Sequence, residues 1–105
     1  MHFYDFNEMA TSRPTVAGAH LEVERLHFKT NEGAPEHAHP NEQIMYVVKG
    51  KLRVRFGEEI GEVGPGQAFL APANVKHHVT ALEDTEVISC KNIIEGYTYK
   101  VPGQE

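Results

Sequence analysis

The chain has 105 residues, of which 40% are hydrophobic and 24% charged, a balance that fits one globular domain, 1–105, with one modest core and excludes a largely disordered polypeptide. A formal charge of −5 argues against a nucleic-acid partner, which needs a basic face. The longest apolar run, Ile44 to Val48, is far short of a membrane span, so no membrane partner is expected.

Met1-His2-Phe3-Tyr4-Asp5 carries neither a basic leader nor a long apolar run, so no signal peptide is expected. The single cysteine, Cys90, leaves no internal disulfide and fits a reducing, cytoplasmic compartment.

In chain order, residues 1–15 are irregular and read as an arm or an extra strand. Leu21 and Val23 share one parity while Leu26 and Phe28 share the other, which predicts a β-bulge near Glu24-Arg25. A bulge re-aims side chains, so Arg25 becomes a candidate clamp for a substrate carboxylate; the plainer reading is a solvated arginine. Ile44 to Val48 is a short β-rich run closed by the turn Lys49-Gly50. Met45 and Val47 share parity with Gln43, which makes Met45 a candidate substrate contact or a core residue. Leu52, Val54 and Phe56 interleave with Lys51, Arg53 and Arg55, the pattern of a half-buried strand. Gly57, Gly61, Gly64-Pro65-Gly66 and Pro72-Ala73-Asn74 recur at turn spacing, with Ala68-Phe69-Leu70 between them. His77 to Leu82 and Thr85 to Lys91 read as two strands around Glu83-Asp84, with Cys90 as a buried strand cysteine. Residues 96–105 form a second irregular arm, where Tyr97 and Tyr99 face a partner subunit or cover the mouth of the fold. No helix-period segment stands out. Many short strands with Gly/Pro turns predict an all-β sandwich or barrel.

The chemistry concentrates in His37-Ala38-His39 and in His77, some forty residues later. Two histidines at i, i+2 on an extended segment point to one side. A third imidazole arriving from a distant strand closes a site suited to a divalent transition metal. His78 competes with His77 for that role, but neighbouring strand residues face opposite ways, and Val79 and Ala81 share the parity of His77. His2, His20 and His27 read as solvent-facing.

These residues resemble the two motifs of the cupin superfamily. The first motif appears as His37-x-His39, three residues, Gln43, six residues, Gly50; the second as Gly66, five residues, Pro72-x-Asn74, two residues, His77. The resemblance spans roughly residues 20–90. It implies an all-β, jelly-roll-like β-barrel of two antiparallel sheets, one divalent metal (Mn, Fe, Ni, Zn or Co) and a small-molecule substrate or ligand; leftover strand edges and the arms at both ends predict a homodimer. Asn31 and Asn74 stand where the family has glycines, and Ala81 where it has a closing asparagine. Asn74 is a mild change because asparagine tolerates positive φ.

The larger departure is Gln43 in place of the family's usual glutamate. Gln43 is either a fourth, neutral ligand through its amide oxygen or a buried amide beside a three-histidine site. A neutral ligand leaves the metal a stronger Lewis acid and a poorer electron donor. Gln43 here resembles cupins that open or isomerise rings of unsaturated sugar acids. Three functions compete: a Lewis-acid isomerase or ring-opening enzyme on a small sugar acid or oxo acid, a metal-dependent dioxygenase, and a non-catalytic metal- or metabolite-binding module. Fold alone does not choose among them.

Overall fold

The alternating segments form nine strands in the computed structural model, which describes residues 2–97. A single 3-10 turn, Phe6–Glu8, precedes them. The strands are β1 (Thr15–Ala17), β2 (Leu21–Phe28), β3 (Gly33–His37), β4 (Gln43–Lys49), β5 (Leu52–Phe56), β6 (Glu59–Val63), β7 (Ala68–Ala71), β8 (His77–Ala81) and β9 (Thr85–Asn92). They make a five-stranded sheet, β1-β2-β9-β4-β7, and a four-stranded sheet, β3-β8-β5-β6, with antiparallel pairing throughout. Among the described residues no helix is long and apolar enough to cross a membrane.

The expected barrel is a jelly-roll-like pair of facing sheets, not a closed cylinder. Edges therefore survive at β1, β7, β3 and β6. They are managed locally: β1 is three residues long, β3 carries Pro35, and β6 is exposed and acidic at Glu59 and Glu62. Short, proline-bearing or charged edges resist adding a foreign strand. β6 escapes the alternation rule because only Val63 of its residues is buried.

Burial follows period two where both sheets face the interior. In β4, Gln43, Met45 and Val47 are buried while Ile44, Tyr46 and Val48 are exposed. In β5, Leu52 and Val54 point inward; Arg53, and Lys51 just before the strand, face outward toward Glu62. These residues meet Leu26, Phe69, Val79 and Val87 in one core.

The bulge expected near Glu24-Arg25 does not exist. β2 pairs with β9 in unbroken register from Leu21↔Asn92 to Phe28↔Thr85. The apolar parity switches because the inner face of β2 changes character, from Glu22 and Glu24 to Leu26. The ladder irregularities lie elsewhere, between Ala34 and His37 and between Val47 and Lys49. Cys90 is exposed, contrary to expectation. The inner face of β9 is set by Thr85, Val87, Ser89 and Lys91, so Cys90 points outward. 

Gly50 marks the crossing from the large sheet to the small one. Its φ of +96° favours glycine, and a Cβ there would run into the Asp84 carbonyl and Thr85. Thr85 is in turn tied to the same crossing, accepting from Lys51 N at 3.0 Å and donating to Glu83 O at 2.7 Å.

Candidate metal centre

His37 ends β3, His39 lies in the loop that follows, and His77 opens β8. One extra residue on β3, between the pairs Ala34↔Val79 and His37↔His77, brings His37 directly opposite His77. Pro35 sits in that bulge, where a missing N–H costs no ladder bond. The loop carrying His39 is pinned at both ends. Asn74 N donates to His39 O at 2.7 Å, and Glu42 N donates to Asn92 Oδ1 at 2.7 Å. Asn74 makes its turn with φ of +64°, and Asn31, the other asparagine at a family glycine position, has φ of +73°.

The three rings converge. Their centroids lie 5.4 Å (His37–His39), 4.5 Å (His37–His77) and 5.0 Å (His39–His77) apart. One nitrogen from each ring falls within 4.8 Å of the others. In every ring Nδ1 meets a backbone carbonyl: His37 with Pro35 O at 2.7 Å, His39 with Asn41 O at 2.9 Å, His77 with Val75 O at 3.0 Å. A carbonyl only accepts, so Nδ1 is the donor and Nε2 carries the lone pair. This is the second contact that orients metal-binding histidines.

Burial also sets their protonation. His77 is 2% exposed and His39 is 3% exposed. Loss of hydration holds the pKa of each below 6.5. The neighbouring imidazoles and Lys91 add to the effect at His39, and His37 adds to it at His77. The donor set fits a divalent transition metal, which requires neutral imidazole and favours nitrogen ligands. 

Other residues singled out by sequence fall as follows. Gln43 is 5% exposed, and its Nε2 donates to Ser89 Oγ at 2.7 Å. Gln43, His37, His77 and Met45 line one cavity of about 560 Å³ between the sheets. His78 has the opposite parity to His77 and pairs with Arg55 on the outside of the small sheet. Arg25 borders the cavity, but it has the parity of Ile88, on the outer face. Its guanidinium donates to Asn7 Oδ1 at 2.9 Å and does not join the imidazole cluster. His2, His20 and His27 are exposed, with His27 Nε2 3.7 Å from Glu86. Tyr97 is exposed, and Tyr99 lies outside the described residues.

Sequence reasoning missed Lys91 and its company. Lys91 is 8% exposed, lines the same cavity, and sits 3.3 Å from Glu22. Beside it Arg13 forms a two-point pair with Glu24, at 2.8 and 3.3 Å. The available signal was parity: Lys91 shares the face of Val87 and Ser89, and Glu22 and Glu24 share that of Leu26.

Comparison with known proteins agrees with this architecture. The family model described as "Cupin domain" matches residues 24–89. An RmlC-like cupin structure from Shewanella frigidimarina superposes with a TM-score of 0.79 at 20% identity, covering 91% of this chain and 94% of that one. KdgF from Halomonas sp. gives a TM-score of 0.71 at 28% identity, covering 85% and 87%. The Cnp3 cupin domain of Schizosaccharomyces pombe gives 0.74 at only 9% identity, covering 89% and 70%. A comparison with curated protein sequences gives no match. With two facing antiparallel sheets, a convergent histidine triad between them and a family match across most of the strands, the chain belongs to the cupin domain family.

Proposed function

We propose that the chain holds one divalent transition metal through His37, His39, His77 and the Oε1 atom of Gln43, and acts as an isomerase or ring-opening enzyme on a small sugar acid or oxo acid. The observation that carries this reading is the neutrality of the donor set. Each imidazole has Nδ1 tied to a carbonyl, and the Gln43 amide has Nε2 committed to Ser89, which turns Oε1 into its remaining ligand atom. A divalent ion in such a set supplies Lewis acidity, drawing electron density from a carbonyl or ring oxygen. The amide of Gln43 offsets none of that charge, where a carboxylate would offset one unit. Met45 and Phe69 give the cavity an apolar wall, which strengthens electrostatic contacts beside it. The resemblance of the Gln43 variant to cupins acting on unsaturated sugar acids gives the reading its direction.

The test is Gln43→Glu, assayed on an unsaturated uronate by loss of its ultraviolet absorbance, with oxygen uptake recorded in parallel. The metal-loaded parent should turn over without consuming oxygen. The variant should keep its metal and lose activity by about tenfold or more, as a perturbed ligand shell does. Oxygen uptake by the parent would replace this reading with the dioxygenase. No turnover by either route would leave a metal-binding module.

A further inference from the structure

A single metal ion does not account for the cavity of about 560 Å³ between the sheets. Protein interiors leave few voids larger than a water molecule, and a void of this size falls in the range of small-ligand pockets. The histidines and Gln43 occupy one end of it. Its remaining walls are of two kinds.

The first wall is charged but committed. Among the described residues Arg13, Glu24, Arg25, Glu32 and Lys91 border the cavity, and each already has a protein partner. Arg13 grips Glu24 at two points, Lys91 lies 3.3 Å from Glu22, Arg25 donates to Asn7 Oδ1, and Glu32 Oε1 accepts from Lys29 N at 2.7 Å. The two ion pairs cancel in charge, so this wall exerts no net pull on an anion. The second wall is carbon. Two residues beyond Gln43 the inner face of β4 carries Met45, and two beyond His77 that of β8 carries Val79. Phe69 pairs with Met45 from β7, and Leu26 and Phe28 line the same space from β2. Both sheets therefore turn apolar one inward step away from the metal ligands.

We propose that this apolar half is a subsite for a branched-alkyl or aryl group, and that the ligand is a 2-oxo acid carrying that group, with its oxo and carboxylate oxygens at the histidine end. A divalent ion there supplies the positive charge that the carboxylate needs, since Arg13 and Lys91 are taken by Glu24 and Glu22. A polyhydroxylated tail would set its O–H groups against Leu26, Phe28 and Met45, where they lose water and gain no partner. An alkyl or aryl tail removes apolar surface from water on both sides of the contact. The inference rests on the metal reading above, and from the acids left open there it selects an apolar oxo acid over a sugar acid.

Equilibrium binding to the zinc-loaded protein tests this without requiring turnover. Titration calorimetry compares phenylpyruvate, 4-methyl-2-oxopentanoate, pyruvate and D-glucuronate. The first two should bind at least tenfold tighter than the last two, as burial of a phenyl or isobutyl group implies. Ala34→Met extends a side chain into the apolar half from β3, and Phe28→Asn puts an amide in its wall at the partly exposed end of β2. Each should weaken phenylpyruvate at least fivefold, leave pyruvate within twofold, and keep one zinc per chain. Phenylpyruvate binding no tighter than pyruvate overturns the proposal, and so does glucuronate binding as tight as phenylpyruvate. Undiminished phenylpyruvate binding in either variant with intact zinc loading also overturns it. Failure of the uronate assay alone refutes that reaction and leaves the binding order standing; uronate turnover with phenylpyruvate no tighter than pyruvate refutes only the apolar subsite.

Discussion

Removing His77 separates the metal's contribution to stability from that of packing. The imidazole is almost fully buried, 6.0 Å from the Phe56 ring, so His77→Ala should destabilise the metal-free protein by about 2 kcal/mol through the cavity it leaves. His78→Ala, on the outer face, should cost under about 0.5 kcal/mol. Zinc then adds a second difference. At a free concentration of about 100 times its dissociation constant, a ligand stabilises the folded state by about 2.7 kcal/mol. With an unfolding entropy of roughly 2.1 cal/mol/K per residue, a chain of 105 residues should gain about 12 °C in Tm. Differential scanning calorimetry with and without zinc reads both quantities. The parent and His78→Ala should show the full zinc-induced rise, and His77→Ala almost none. A full rise in His77→Ala, or its loss in His78→Ala, would mean that the triad is not the binding site.

Two further outcomes follow from the same geometry. In the metal-free protein, His39 and His77 have pKa values depressed below 6.5, chiefly by burial. The unfolded chain binds those protons more readily, so their stabilising contribution is complete above 6.5 and lost as pH falls through the folded values. Urea midpoints should be flat from about pH 8 to 7 and fall as the pH drops below about 6.5; a midpoint that rises on acidification contradicts the burial argument. On the outside, Val23, Cys90, Ile44 and Leu70 align in one apolar row across four strands of the large sheet, with Tyr46 and Ile88 in the next. A solvent-facing apolar row of this kind marks an interface, so the chain should be a homodimer by light scattering and Tyr46→Lys should shift it to monomer; a monomeric parent at high micromolar concentration refutes this.

The sequence made the histidine triad legible because metal-ligating residues carry their own spacing. The strands β4, β5, β8 and β9 were legible because each buries one face, which writes period two into its residues. β6 was not, since an exposed edge strand has no apolar face to write. The inner face of β2 misled for a related reason. Glu22 and Glu24 point inward to Lys91 and Arg13, so a rule that puts apolar side chains inside reads their parity backwards and supplies a bulge to compensate. One of the true irregularities, at Pro35-Glu36, is opposite His78 and depends on a partner strand some forty residues away. Arg25 could not be placed from sequence because its partner, Asn7, belongs to an arm without pattern.

The pairing of β2 with β9 has a consequence for how the protein is made. Leu21 lies opposite Asn92, so the large sheet joins the two ends of the described chain across its middle. Contacts of such long sequence separation form late and slowly. During synthesis His37 and His39 leave the ribosome well before His77, and Lys91 follows last. A nascent chain that ends before β9 carries all three histidines but lacks the central strand of the large sheet and the Lys91–Glu22 pair. Metal acquisition by the folded site therefore waits until β9 has emerged, and a product truncated before β9 should fail to fold into a metal-binding state at all.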